Sequence, residues 1–298
     1  MKKDFVFYNC QKGTHGNCKP KLLPGLCNRL RGMITVYTYS QIKGDQFKFT
    51  WKPSETCNCH FQDIFQINED MIYLDNLDDF IKNDSTIEFT DFPYFKKIHN
   101  EGFTIESFYY FETWDKFFKN LKHKYSCKDT DFYQMYKLNL RKLRLVEQLY
   151  EKVEDTTNLH DIRNRIGIHV RRGDHGIYRG GRKTDIYYNN LPENFFYLID
   201  REIEKNKDIK FLLATDNLKS YEKFKSRYDD RIVTYTTNQS YGLYNEGVSR
   251  RCTTLEDAVI ELFLLSKCKK IIGSDSSSFS DMASVLGDCP IECARKIW

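Results

Sequence analysis

The chain has 298 residues, with 46 basic against 42 acidic side chains and a formal net charge of +4. That length holds one large domain or two of ordinary size, and so small a surplus of charge argues against a polynucleotide as partner. An apolar fraction of 40% with 30% charged residues excludes a disordered or collagen-like chain and fits a folded soluble protein.

In chain order, Phe5-Val6-Phe7-Tyr8 reads as a first strand; the run is too short for a secretory h-region. No apolar run approaches the roughly 18 residues of a membrane span, so the expectation is a cytoplasmic protein without a transmembrane segment. Residues 9–24 form a Gly-, Lys-, Asn- and Pro-rich loop. Leu26, Leu30, Met33 and Tyr37 recur at helical spacing after it. Strand, glycine-bearing loop and helix make a Rossmann-like opening, and a helix N-terminus there suits an anion. Asn28 and Arg29 fall in its first turn; the alternative is a surface helix with a basic face.

Gln46 to Trp51 alternates as a second strand, and Cys59 to Phe65 is a loop with a short helix. Residues 66–130 are mixed and aromatic, with short strands at 71–74 and 86–89 whose order the sequence leaves open. Residues 129–153 read as one helical stretch, and Thr156 to Asp161 breaks it. A domain boundary is expected near 158, giving an N-terminal domain of 1–158 and a C-terminal domain of 159–298. Beyond it, strands at 166–170, 209–216, 231–235 and 270–274 alternate with helices at 193–204, 218–228, 255–266 and 279–286. That alternation predicts an α/β fold, a parallel sheet flanked by helices on both faces.

Three strand ends of this half carry polar groups. The first is His169, Arg171, Arg172 and Asp174; the second Thr215-Asp216-Asn217; the third Gly273-Ser274-Asp275-Ser276-Ser277-Ser278. In a parallel sheet all three emerge at one edge, where open α/β sheets bind ligands. Guanidinium forks and a serine-rich turn before a helix suit a diphosphate. The serine run also reads as a capped helix start, since serine is a favoured N-cap. The basic run Arg179-Gly180-Gly181-Arg182 lies in the loop after the first of these ends. Ten cysteines, at 10, 18, 27, 57, 59, 127, 252, 268, 289 and 293, are expected to stay reduced in the absence of an export signal. Cys57-Asn58-Cys59-His60 hints at a metal site, but its C-x-C spacing is not that of a zinc knuckle.

Ile166-Gly167-Ile168-His169-Val170-Arg171-Arg172-Gly173-Asp174 resembles the H-x-R-R-x-D motif of the fucosyltransferase superfamily, which includes α-1,2, α-1,6 and protein O-fucosyltransferases. Gly25-Leu26-Cys27-Asn28-Arg29-Leu30-Arg31 is similar to the superfamily's N-terminal G-x-G/C-N-R motif. Trp51 with Cys59 and Phe61 to Phe65 resembles the segment after its second strand. Leu212 to Asn217 resembles its Ala-Thr-Asp strand end, and Glu256 to Cys268 followed by Gly273 to Ala283 its last motif. The matches are collinear from about residue 5 to 290, and residues 66–155 carry none.

The resemblance implies two Rossmann-like domains facing a cleft (the GT-B type) and an inverting transfer of L-fucose from GDP-fucose to a glycan hydroxyl without a metal or other cofactor. It places Arg171 at the leaving diphosphate. Arg172 supports it or faces the acceptor, and His169 lies on the guanine and ribose side. Glu261 is placed at guanine, with Ser276, Ser277, Ser278 and Phe279 at the diphosphate turn. Asp216 belongs to the donor site, and Asn28 and Arg29 approach from the N-terminal domain. Asp174 is the candidate base, with Asp185 and Glu246 behind it; Asp174 reads equally as counter-ion of the two arginines. Alternatives are another donor, such as a xylosyl or rhamnosyl nucleotide, or a catalytically silent sugar-nucleotide or glycan-binding protein.

Overall fold

The computed structural model describes residues 4–8, 25–51, 53, 57–75, 86–88, 95–99, 102–106, 129–172, 183–235 and 254–295. The chain divides into two compact units, Met1–Val146 and Glu147–Trp298.

In the first unit the strands are β1 (Asp4–Tyr8), β2 (Gln46–Phe49), β3 (Met71–Tyr73), β4 (Thr86–Glu88), β5 (Phe95–His99) and β6 (Gly102–Glu106), in the order β3-β2-β1-β6-β5-β4. Strands β3, β2, β1 and β6 run parallel. β4, β5 and β6 are antiparallel, so this sheet is mixed rather than parallel throughout. Only two residues separate His99 from Gly102, and so short a link cannot make the crossover that parallel strands need.

Helix α1 (Leu26–Lys43) ends on Gly44 at φ 71°, a left-handed cap whose N–H bonds back to the last carbonyls. From Met33 to Ser40 every residue of α1 is buried, which excludes the surface-helix alternative. One cover is α2 (Asp129–Arg141), whose buried Asn139 donates to Thr38 Oγ1 at 3.1 Å and Gln41 Oε1 at 2.8 Å.

The stretch 129–153 is not one helix. It breaks between α2 and α3 (Glu147–Leu159), although no proline or glycine stands there. The backbone leaves the helix to pair with the segment at Phe65: Gln66 N–H bonds Arg144 C=O at 2.9 Å, and Val146 N–H bonds Ile64 C=O at 2.9 Å. Glu147 opens the second compact unit, and α3 packs on a helix of that unit.

The second unit holds β7 (Ile166–Val170), β8 (Phe211–Thr215), β9 (Ile232–Val233), β10 (Lys270–Gly273) and β11 (Ile291–Cys293). Their order is β11-β10-β7-β8-β9, all parallel. Its helices are α4 (Asp185–Asn189), α5 (Pro192–Lys205), α6 (Leu218–Tyr228), α7 (Leu255–Ser266) and α8 (Ser278–Gly287). Both β7 and β8 are buried at all five positions, as expected of strands covered on two faces. On one face Ile166, Ile168 and Val170 pack with Phe195 and Ile199 of α5 and Phe224 of α6. On the other, α7 lies so close to β7 that a Cβ on Gly167 would stand 2.7 Å from Leu265 Cδ2. α7 is apolar almost all round because α3 covers its outer side, tied by ion pairs Lys152–Glu256 and Lys267–Glu154. Among the described residues no helix is long and apolar enough to cross a membrane.

Candidate active site

The order of the second sheet decides where its chemistry collects. From β7 the chain builds outward through β8 to β9, then returns to the other side of β7 with β10 and β11. β7 and β10 are thus neighbours across a topological switch point, and the space beyond their carboxyl ends is where such sheets bind ligands. His169 to Arg172 end β7, and Gly273 to Ser278 follow β10.

The two ends are joined by one hydroxyl. Ser274 Oγ accepts the Arg171 N–H at 2.8 Å and donates to the His169 carbonyl at 3.0 Å, so it sets where the chain leaves β7. Ser280, on α8, works one layer deeper. Its Oγ accepts the Ser274 N–H at 3.2 Å and lies 2.6 Å from His169 Nδ1. Both serines are fully buried. Phe279 stacks on the imidazole with ring centroids 4.7 Å apart, so hydrogen bond and stack together fix the His169 ring. Gly273 is required for this closeness: a Cβ there would come 2.8 Å from Ser280 Cβ and 2.9 Å from Ile291 Cδ1.

Asp216, just after β8, organises the arginines. Its carboxylate pairs with the Arg171 guanidinium and accepts the Arg172 N–H at 2.8 Å. The Arg171 side chain is 33% exposed, whereas Arg172 is buried. Arg172 donates from Nη1 to the Tyr187 carbonyl at 2.9 Å and lies over the Tyr187 ring, 4.1 Å from its centroid. One arginine is thus presented, and the other is spent on the short helix α4. Asp216 thus holds the Arg171 side chain and the Arg172 main chain.

The serine turn has an uneven surface: Ser276 is exposed, Ser277 buried, and Ser278 and Phe279 lie between. Ser276 has φ 57°, in the left-handed region that a residue with a side chain enters only where its surroundings hold it. Ser277 is the N-cap of α8, but its side chain makes no capping bond. Because α8 follows β10, which runs parallel to β7, its N-terminus lies at the same edge as Arg171, with its positive dipole end. Glu261 is buried on α7 and within electrostatic reach of Tyr235, beyond the end of β9. Burial first, with Asp257, Glu256 and Glu261 adding, raises the Tyr235 hydroxyl above its usual range.

Asn28 and Arg29 stand in the first turn of α1, in the first unit. Asn28 is partly exposed. Arg29 is 1% exposed and lies 5.4 Å from the centroid of the Trp51 ring. Burial pulls its pKa down, with the Cys57 and Cys59 thiols opposing. Those two sulfurs are 4.0 Å apart. Hydrogen bonding to Cys57 and burial raise the Cys59 thiol above its ordinary value. Among the described residues no three His, Cys, Asp or Glu side chains gather as metal ligands. No disulfide joins the described cysteines 27, 57, 59, 268, 289 and 293 to one another. Asp185 is exposed at the start of α4. Asp174, Glu246, Arg179 to Arg182, and Cys10, Cys18, Cys127 and Cys252 lie outside the described residues.

Sequence reasoning passed over Ser274 and Ser280 as binding groups, and Tyr187 and Asn190 altogether. The G-S-x-x-S-x-F-S pattern carries both serines, but nothing local says that they bond to β7.

No protein-family model and no curated sequence matches the chain. Solved structures do. The fucosyltransferase NodZ from Bradyrhizobium superposes with a TM-score of 0.58 at 12% identity, over 96% of this chain and 92% of that one. POFUT1 in complex with GDP gives 0.55 at 9% identity, over 98% and 99%. An Arabidopsis thaliana FUT1 variant in complex with GDP gives 0.54 at 15%, over 98% of this chain and 70% of that one. A NodZ α-1,6-fucosyltransferase soaked with GDP-fucose matches at 0.58 and 14% identity, over 96% and 93%. The chain therefore has the fold of the fucosyltransferase-like superfamily.

Proposed function

We propose that the protein is an inverting glycosyltransferase that moves L-fucose from GDP-fucose to a glycan hydroxyl. The observation that carries this reading is Arg171. It is held at the carboxyl end of β7 by Asp216 and by Ser274, beside the serine turn, on a fold shared with structures solved with GDP and GDP-fucose.

Breaking the bond from sugar C1 to the β-phosphate leaves two charges to stabilise, one on the departing diphosphate and one on an oxocarbenium-like sugar. A pre-aimed guanidinium and a helix N-terminus act on the diphosphate without reorganising during the step. Together they take the part that a divalent cation plays in other transferases, so the reading includes metal-independent catalysis. His169, its ring fixed by Ser280 and Phe279, and the buried Glu261 are assigned to the ribose and guanine side. The reading also includes a GT-B arrangement, with the second unit as nucleotide-sugar domain and Asn28 and Arg29 approaching from the first. Asp216 already serves as counter-ion of Arg171, which favours the other role for Asp174, general base toward the acceptor hydroxyl.

The test is a transfer assay with GDP-fucose and a panel of glycan acceptors, the product anomer read by NMR. A β-linked donor giving an α-linked product is expected. Transfer with retained configuration overturns the inverting mechanism, and transfer from UDP- or dTDP-sugars alone overturns the donor.

A further inference from the structure

The short helix α4 does more than fill a loop. Its C-cap, Asn190, is fully buried, and its amide meets one residue twice. Asn190 Oδ1 accepts the Asp275 N–H at 2.7 Å, and Nδ2 donates to the Asp275 carbonyl at 3.2 Å. A primary amide offers a donor and an acceptor side by side in this way at any pH near neutral. Asn189 adds a bond from Nδ2 to Asp275 Oδ2 at 2.9 Å. Asp275 immediately precedes Ser276, the residue at φ 57°, and a backbone in that region persists where its neighbours over-determine it.

The other end of the clamp is equally firm. Tyr187, three positions before Asn190, gives its carbonyl and its ring face to Arg172. Asn194 of α5 donates to the Tyr188 and Asn189 carbonyls at 2.8 and 3.0 Å, closing the end of α4. The helix is thus bonded to the end of β7 through Arg172 and to the turn after β10 through Asp275. Those are the two strand ends on either side of the switch point.

We propose that Asn190 is a positioning residue for the donor diphosphate: it pins the Asp275 main chain so that the turn at Ser276 to Ser278 stays shaped for phosphate oxygens, in fixed relation to the arginine end of β7. The inference rests on the nucleotide-sugar reading above. It assigns Asn190 no contact with the nucleotide base and none with the sugar. The loss on removing it therefore falls on the phosphates alone.

Affinities for GDP and for guanosine, measured by calorimetric competition on the full chain, test it. In the wild type GDP should bind much more tightly than guanosine. Asn190→Ala strips two hydrogen bonds from the partly buried Asp275 main chain, and should weaken GDP about tenfold while leaving guanosine within about twofold. A role in stability only would lower the melting temperature and leave the ratio of the two affinities at its wild-type value, which overturns the proposal. Should that variant not fold, Asn189→Ala removes one outer bond, and the ratio should fall about threefold; an unchanged ratio overturns the proposal in that variant too. A wild type that binds neither ligand overturns the nucleotide-sugar reading, and the proposal with it. A wild type that binds both equally overturns the proposal, and with it the placing of Arg171 at the diphosphate.

Discussion

At the scale of single residues, Arg171 and Arg172 stand side by side in sequence and are used differently. Asp216 takes the side chain of the first and the main chain of the second, which turns one guanidinium outward and leaves the other over Tyr187. Arg171→Ala should lower kcat at least about 100-fold, the usual cost of losing one pre-aimed donor. Its melting temperature should fall only modestly: Asp216, 11% exposed, loses its counter-ion but keeps the Arg172 N–H. Turnover within a few-fold of the wild type would remove Arg171 from the leaving group. Arg171→Lys should not restore the rate, since an ammonium lacks the planar fork. Asp216→Asn keeps the shape and loses the charge. It should raise the donor KM, as the Arg171 side chain loses its counter-ion; an unchanged KM would mean that the pair is incidental to binding.

At the scale of elements, close approach and charge do separate jobs. α8 ends against α7 at Gly287, where a Cβ would lie 1.8 Å from the Ser266 carbonyl oxygen. Backbone cannot yield as a side chain does, so Gly287→Ala should cost about 1–3 kcal/mol in denaturant unfolding. A midpoint equal to the wild type would show that the helices can part there without cost. On the amino-terminal side of the same sheet, Lys270 of β10 bonds Glu202 of α5 at 3.0 Å and Glu292 of β11 at 2.7 Å, with Arg201 alongside. Burial works against ionising either carboxyl, but hydrogen bonds from Lys205, Lys270 and Arg201 outweigh it and hold both below the usual range. Burial likewise opposes the Lys270 charge, and the two carboxylates outweigh it and raise that pKa.

The linkage follows from those directions. A depressed carboxyl contributes stability above its unfolded pKa of about 4.3 and loses it as the pH falls through the folded value. A raised lysine contributes below about 10.4 and loses its share above that. Lys270→Met should therefore destabilise near neutral pH, by no more than about 1 kcal/mol because water screens these partly exposed groups. The difference from the wild type should close as the pH drops below about 4. A difference that stays constant down to pH 3 would assign the effect to packing instead.

At the scale of the whole molecule, a chain 9–15% identical to solved fucosyltransferases shares their fold over nearly its full length. A screen of nucleotides by thermal unfolding addresses the molecule as a unit. A ligand at 100 times its Kd stabilises the native state by about 2.7 kcal/mol. GDP and GDP-fucose should raise the midpoint, and UDP and dTDP should not; an equal rise with UDP would take guanine selection away from Glu261. Transfer should survive EDTA, because Arg171 and the α8 N-terminus are assigned the leaving group's charge. Loss restored by manganese would overturn that assignment.

By itself the sequence determined four of the five strands of the second unit, their parallel sense and the three strand ends that carry His169, Arg171, Asp216 and the serine turn; the short edge strand β11 left no such signal. Those signals are local: period-2 runs of β-branched residues, and helices between them at regular spacing. It also determined α1, whose helical spacing is local as well. Only the tertiary structure decided what the polar groups bond to. Ser274 lies 103 positions beyond Arg171, Asp275 85 beyond Asn190, and Ser280 111 beyond His169. A hydrogen bond across such a separation leaves no periodicity to read. The same cause broke the helix at Lys142 to Val146 in favour of pairing with Ile64 and Gln66. It also set Asp216 against the Arg171 guanidinium as its counter-ion.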